Sequence, residues 1–135
     1  LKSARFKDTV HQVCMSHANN KFVKAGNQGS EPVAIRFSNL LKRFFSKEHV
    51  YDEAGLTPEE RLRERQSLET KELLIELRSL LDSELLKDSE FRSRYYREAL
   101  NYLNWFWKEI FAYLGDGELP IDNNLAERTI RKLTT

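Results

Sequence analysis

From Pro32 onward the apolar positions fall at helical spacing. Val33, Phe37, Leu40, Leu41, Phe44 and Phe45 recur at steps of three and four, which places them on one face of an α-helix. Pro32 suits the first turn, with Ser30 as the expected cap, and the helix ends by Gly55. "LTPEERLRERQ", residues 56 to 66, restarts the pattern. Thr57 can cap, Pro58 takes the first helical position and Glu60 lies three residues after Thr57, which together make a capping box. Leu73, Leu74, Leu77, Leu80, Leu81 and Leu85 carry the apolar stripe of the second half of this helix. Its first half, "ERLRERQSLETK", is mostly charged and is expected to project into water or to meet a partner. "KDSE" breaks the pattern, with Asp88 or Ser89 as the next cap. Phe91, Tyr95, Ala99, Tyr102, Leu103, Phe106, Ile110 and Leu114 then predict one long helix, which "GDG" at 115 to 117 stops.

The two ends read differently. "TVHQVCM", residues 9 to 15, is β-prone and short enough for a single strand. A short helix follows, from a cap at Ser16 to a stop at Gly26, and "NQGSE" makes a turn. At the other end "ELPI" is expected to be extended, because Leu119 precedes Pro120. Asp122 or Asn123 then caps a final helix. The fold class this predicts is mainly α, a helical bundle with one or two short strands. The aromatic run "YYREALNYLNWFW" has helical spacing, which favours core packing over a base-stacking platform. The leucine stripe spans too few heptads for a coiled-coil seam.

Composition refines this picture in three places. A chain of 135 residues fits one domain with one core. Net charge is only +1, yet residues 1 to 50 hold nine Lys/Arg against three Asp/Glu, about +6, and the rest holds 13 against 18, about −5. The basic part could face an anionic partner or simply water. Cys14 is the single cysteine, so no intramolecular disulfide is possible and a reducing, cytoplasmic setting is expected. No apolar run approaches the ~18 residues of a membrane span. The N-terminus "LKSARFKDTV" has neither an initiator Met nor the apolar segment of a signal peptide, which suggests a piece of a longer chain.

Candidate chemistry is sparse. His11, Cys14 and His17 stand at steps of three, a spacing zinc can use, but a structural site needs a fourth ligand. The simpler expectation for Cys14 is a small buried hydrophobe. No phosphate-binding glycine loop and no nucleophile elbow are present. The last helix is the exception. At about 100° per residue, Leu125, Ala126, Thr129, Ile130 and Leu133 share one arc, while Asn123, Glu127 and Arg131 lie on a separate polar strip. Glu127 therefore faces outward, either in an exposed pair with Arg131 or toward a site. One carboxylate alone makes a poor metal site.

"LPIDNNLAERTIR" resembles the signature near the end of the catalytic domain of transposases of the insertion sequence 66 family. Ile121, Asp122, Asn123, Asn124, Ala126, Glu127, Arg128, Ile130 and Arg131 match it. "VCMSHANNKFVKA" is similar to an earlier segment of the family through Cys14, His17, Ala18, Lys21 and Phe22, although Asn19 and Asn20 replace its two usual arginines. "LTPEERLRERQ" resembles the family's middle helical segment.

The resemblance implies a fragment of an acid-triad transposase with a ribonuclease-H-like α/β core. Two aspartates and a glutamate would hold two Mg²⁺ ions for DNA cleavage and strand transfer. Glu127 would be the third acid, with Asp122 a second choice as metal ligand. The two aspartates would lie upstream of Leu1, so the fragment alone is expected to be inactive. Residues 1–30 would belong to the core, 31–115 to a helical insertion, and 116–135 to the helix carrying the glutamate. Arg128, Arg131, Lys132, Lys21 and His17 would be candidate DNA contacts, and Asn123 and Asn124 would cap and orient their helix. Transposon ends and target DNA would be the partners, together with accessory transposition proteins or further copies of the chain, in a bacterial cytoplasm. The alternative is a non-catalytic helical module that binds protein or DNA.

Overall fold

The structure is a computed structural model, and it describes residues 14–87 and 92–122. Helix α1 spans Met15–Gln28 and helix α2 spans Pro32–Ala54. Gly29 stops α1 by donating its N–H to the Ala25 carbonyl. The expected stop at Gly26 is therefore overrun. Gly26 serves close packing instead, since a β-carbon there would stand 3.1 Å from Ile35. Ser16 is not the cap of α1 either: Cys14 holds that position in extended conformation and Met15 opens the helix. The strand expected over residues 9 to 15 thus loses its last two positions, and 9–13 lie outside the described residues. No strand occurs among the described residues.

Glu31, not Ser30, precedes the first turn of α2, and Ser30 takes the turn at φ 54°. Gly55 ends α2 in the left-handed region at φ 62°, and the Gly55 and Leu56 amides close on the Asp52 and Tyr51 carbonyls. The capping box forms as the sequence predicts: the Thr57 N–H donates to Glu60 Oε1 at 3.1 Å and the Glu60 N–H to Thr57 Oγ1 at 3.2 Å. It opens α3, Pro58–Arg65. This helix does not run on. The backbone breaks at Gln66, and Ser67 caps a separate helix α4, Leu68–Leu86. The expected caps Asp88 and Ser89 lie outside the described residues. Ser93 caps α5, Arg94–Trp105, through its Oγ and the Tyr95 N–H at 3.2 Å.

The long helix expected from 91 to 114 is broken as well. Phe106, at φ −106° and ψ 18°, separates α5 from the single turn α6, Trp107–Ile110, and a 3-10 turn follows at Ala112–Gly115. Beyond the break Phe111 meets Phe44 of α2 at 5.1 Å between ring centroids and Trp107 at 4.5 Å.

A single apolar core runs through these elements, from Met15 and Phe22 through Phe37, Phe44, Leu77 and Leu103 to Ile121. Phe22 of α1 stacks on Phe37 of α2 at 4.5 Å, and Tyr96 of α5 meets both rings edge-on. The aromatic run of α5 is therefore only partly core. Tyr96 is buried, whereas Trp105 is 70% exposed. Below this layer Glu84 is buried where the stripe of α4 would place an apolar residue. It accepts from the Tyr96 hydroxyl at 2.7 Å and from Lys87 Nζ at 3.1 Å. Burial opposes its charge, but these bonds and the cations of Lys87 and Arg92 outweigh burial and hold its pKa below the ordinary carboxylate value.

Candidate functional site

The three stretches that carry the family resemblance are far apart in sequence and meet on one length of chain, residues 112 to 122. Within that length the Asp116 carboxylate accepts from the Glu118 N–H at 2.7 Å and the Leu119 N–H at 3.4 Å, a local turn that prepares the run into Pro120. Two clamps hold it.

The first clamp comes from α3. Arg65 is 1% exposed, although it belongs to the charged stretch expected to face water or a partner. Its Nε and Nη2 engage both carboxylate oxygens of Glu48 on α2, at 3.1 and 2.6 Å. Its Nη1 donates to the Tyr113 carbonyl at 3.0 Å and also to the Asp116 carbonyl. The guanidinium lies 4.8 Å from the Tyr113 ring centroid. One side chain thus ties α2, α3 and the 3-10 turn together, with a planar fork that satisfies a carboxylate and two backbone carbonyls at once. Gly117 passes so close to the start of α3 that a β-carbon there would collide with the Pro58 carbonyl. Thr70 is buried too, so the charged stretch turns part of itself inward and leaves Leu68 exposed.

The second clamp comes from the start of α1. The Ser16 hydroxyl donates to Asp122 Oδ2 at 2.5 Å, across 106 positions of sequence. Asp122 is 6% exposed and Cys14 3%. They line a cleft of about 100 Å³ with Ile110, Tyr113, Leu119 and Ile121. Tyr113 links the two clamps, since its carbonyl is held by Arg65 and the residue also lines the cleft. Burial, then the nearby Glu48 charge, raise its phenol pKa against the opposing pull of Arg65. Burial likewise raises the Tyr102 phenol, which is hydrogen-bonded to the backbone of Cys14.

The basic bias of the first 50 residues does not form one open cationic face among the described residues. Lys21 and Lys24 sit over the rings of Tyr102 and Tyr95, at 5.2 and 4.9 Å. Arg43 pairs with Glu76 at 3.6 Å and Lys47 with Glu69 at 3.0 Å. His17 is half-buried and shares a flank of α1 with Lys21. Of the other residues singled out from sequence, Glu127, Arg128, Arg131, Lys132, Asn123 and Asn124 lie outside the described residues, as does His11. Asp122 is the one member of the final motif's polar set that is described, and it lies against α1.

Sequence reasoning missed Arg65, Glu48 and the role of Ser16. A signal for Glu48 existed. It follows Phe37, Leu41 and Phe44 in helical phase, so a carboxylate occupies the next apolar slot of α2. A charge in such a slot calls for a buried partner.

Over residues 2–135 the chain matches the family described as Transposase IS66 family. It belongs to that family. A curated relative in Sinorhizobium fredii (strain NBRC 101917 / NGR234), described as Uncharacterized protein y4jD, is 27% identical over 121 residues. The match covers 89% of this chain and 22% of that protein, so the chain spans about a fifth of the relative's length. No solved structure matches. In this IS66-family chain no group of three or more His, Cys, Asp or Glu side chains among the described residues could hold a metal ion. Asp122, with a hydroxyl donor on one oxygen, shares its cleft with one other carboxylate residue, Glu109. The described residues therefore do not by themselves make a site for two hard divalent ions. Among them no helix is long and apolar enough to cross a membrane.

Proposed function

We propose that this chain carries the last acid of an acid-triad DNA transposase, with Glu127 as that acid. Residues 1–30 and 116–135 are pieces of a ribonuclease-H-like core, and 31–115 are a helical insertion between them. The supporting observation is the contact of Ser16 with Asp122. It joins the Cys-to-Phe segment and the Ile-Asp-Asn-Asn segment as neighbours, the arrangement a split core with a long insertion requires.

In this reading the two further acids lie upstream of Leu1, and with them Glu127 binds Mg²⁺, which supplies charge stabilisation at the phosphodiester. Asp122 fastens the base of the glutamate helix to α1, and Asn123 and Asn124 cap and orient that helix. Arg128, Arg131 and Lys132 meet the phosphates of transposon ends or target DNA, and Lys21 and His17 extend that contact along α1.

The test is Glu127→Gln in the full-length protein, assayed on a labelled transposon-end duplex with a gel-shift control. Glutamine keeps the shape and loses the charge, so cleavage and joining should be abolished while end binding survives. Cleavage at near wild-type rate would remove Glu127 from the catalytic set and leave its pairing with Arg131 as the account of this helix.

A further inference from the structure

Arg65 belongs to no part of the proposed catalytic set, yet it is among the most buried side chains of the described residues and contacts the 3-10 turn that leads toward Asp122. We propose that Arg65 is a positioning residue: by holding the Tyr113 and Asp116 carbonyls against Glu48, it sets the path of residues 113 to 122, from which the chain continues into the motif that carries Glu127.

Four observations carry this. The fork of Arg65 is fully used, two donors on Glu48 and one nitrogen on two backbone carbonyls. Both carbonyls belong to the segment that ends at Asp122, so the bond fixes backbone rather than a neighbouring side chain. Gln66 adds a bond from Nε2 to the Leu114 carbonyl at 3.4 Å. Gly117 completes the clamp by direct contact with the start of α3. A purely structural ion pair would need only Glu48. The two carbonyls are what make Arg65 a guide for this length of chain, and α3, a short separate helix that ends at Arg65 before the break at Gln66, is the element that presents it.

The consequence for catalysis rests on the reading of Glu127 given above, and the experiment separates the two ideas. In the full-length protein, Arg65→Met is compared with Glu48→Leu/Arg65→Met. The single change leaves the buried Glu48 carboxylate with only the longer contact to Arg61, at 3.5 Å, and should lower melting temperature and cleavage together. The double change removes both charges, and an apolar pair of similar volume is often as stable as the ion pair it replaces. It restores melting but leaves the Tyr113 and Asp116 carbonyls without their donor. Hydrogen exchange at the Leu114 and Asp116 amides, which close the 3-10 turn on the Phe111 and Tyr113 carbonyls, should then be about tenfold faster or more than in the wild type. Cleavage of transposon ends should stay depressed on the order of 10- to 100-fold, with end binding changed by no more than about twofold, because phosphate contacts carry it.

Recovery of cleavage together with melting overturns the proposal and makes Arg65 a stability residue only. Wild-type exchange at both amides overturns it as well. Should the double variant fail to fold, Gly117→Ala pushes the same segment off α3 without touching a buried charge. Because that β-carbon meets a backbone carbonyl, melting should fall as well, so cleavage is read well below the variant's melting temperature, where it should stay depressed; full cleavage there is equally fatal. A wild-type protein that never cleaves sinks the transposase reading instead, and the exchange measurement still decides whether Arg65 guides the segment.

Discussion

Ser16→Ala tests the contact on which the functional reading rests. The hydroxyl donates at 2.5 Å to a carboxylate that is 6% exposed, a charge-assisted bond. Such bonds contribute ~1.5–3 kcal/mol. Ser16 is half-buried, so water can replace part of the donor, which favours the lower end of that range. Alanine in the first turn of α1 returns roughly 0.5 kcal/mol of helix propensity. The net expectation is about 1–1.5 kcal/mol, or roughly 4–6 °C in melting temperature for a chain of this size. Thermal melts of Ser16→Ala, Asp122→Asn and the double variant give a cycle that isolates the pair. Its coupling energy should be about 1 kcal/mol or more, since side chains in direct contact couple at ~0.5–3 kcal/mol. A coupling below about 0.3 kcal/mol, the level of independent sites, would mean that α1 and the 119–122 segment do not hold each other, and the supporting observation for a split core would go with it.

Tyr96→Phe should cost about 1–2 kcal/mol at neutral pH, because Glu84 loses a hydrogen bond to its charged form. The folded pKa of Glu84 lies below its unfolded value, so its contribution is full above the unfolded value and fades as pH falls through the depressed one. Urea melts at pH 7 and pH 3 should therefore show a smaller wild-type advantage in acid, and an equal advantage at both would refute the ionic role of the pair. Glu69→Gln/Glu76→Gln should release Lys47 and Arg43 from their partners on α4 and strengthen weak, sequence-independent binding to duplex DNA. The slope of log K against log salt, followed by fluorescence anisotropy, should steepen by about 1.8 if both cations then reach phosphates. An unchanged slope would take this flank out of any DNA contact.

Where a local rule decided the outcome, the sequence was sufficient by itself. The start of α2 at Pro32, its end at Gly55 and the capping box of Thr57 and Glu60 depend on residues within one turn of each other, and all appear as the pattern predicts. The mainly helical class follows from the same periodicity, and membership of the family was readable from the motif residues in their order. Misplaced boundaries arose where a local signal had a competing tertiary use. Gly26 could stop a helix, but its missing side chain lets α2 approach α1. Phe106 continues an apolar stripe, yet the helix breaks there, and Phe111 beyond the break packs on Phe44 of α2.

The features nearest the candidate site were settled by packing. Composition makes Arg65 one charge among many in an acidic-basic stretch, and nothing local distinguishes it from Arg63, which is exposed. Its burial depends on Glu48, 17 residues before it, and on carbonyls about 50 residues after it. Ser16 and Asp122 likewise read as helix caps from their neighbours, yet they bond to each other because the fold brings the start of α1 against the segment that follows the 3-10 turn. Helix periodicity and capping are short-range, so one sequence specifies them directly. Desolvation and pairing of buried charges depend on groups that only the folded chain places within 3 Å of one another, and there the tertiary structure made the choice.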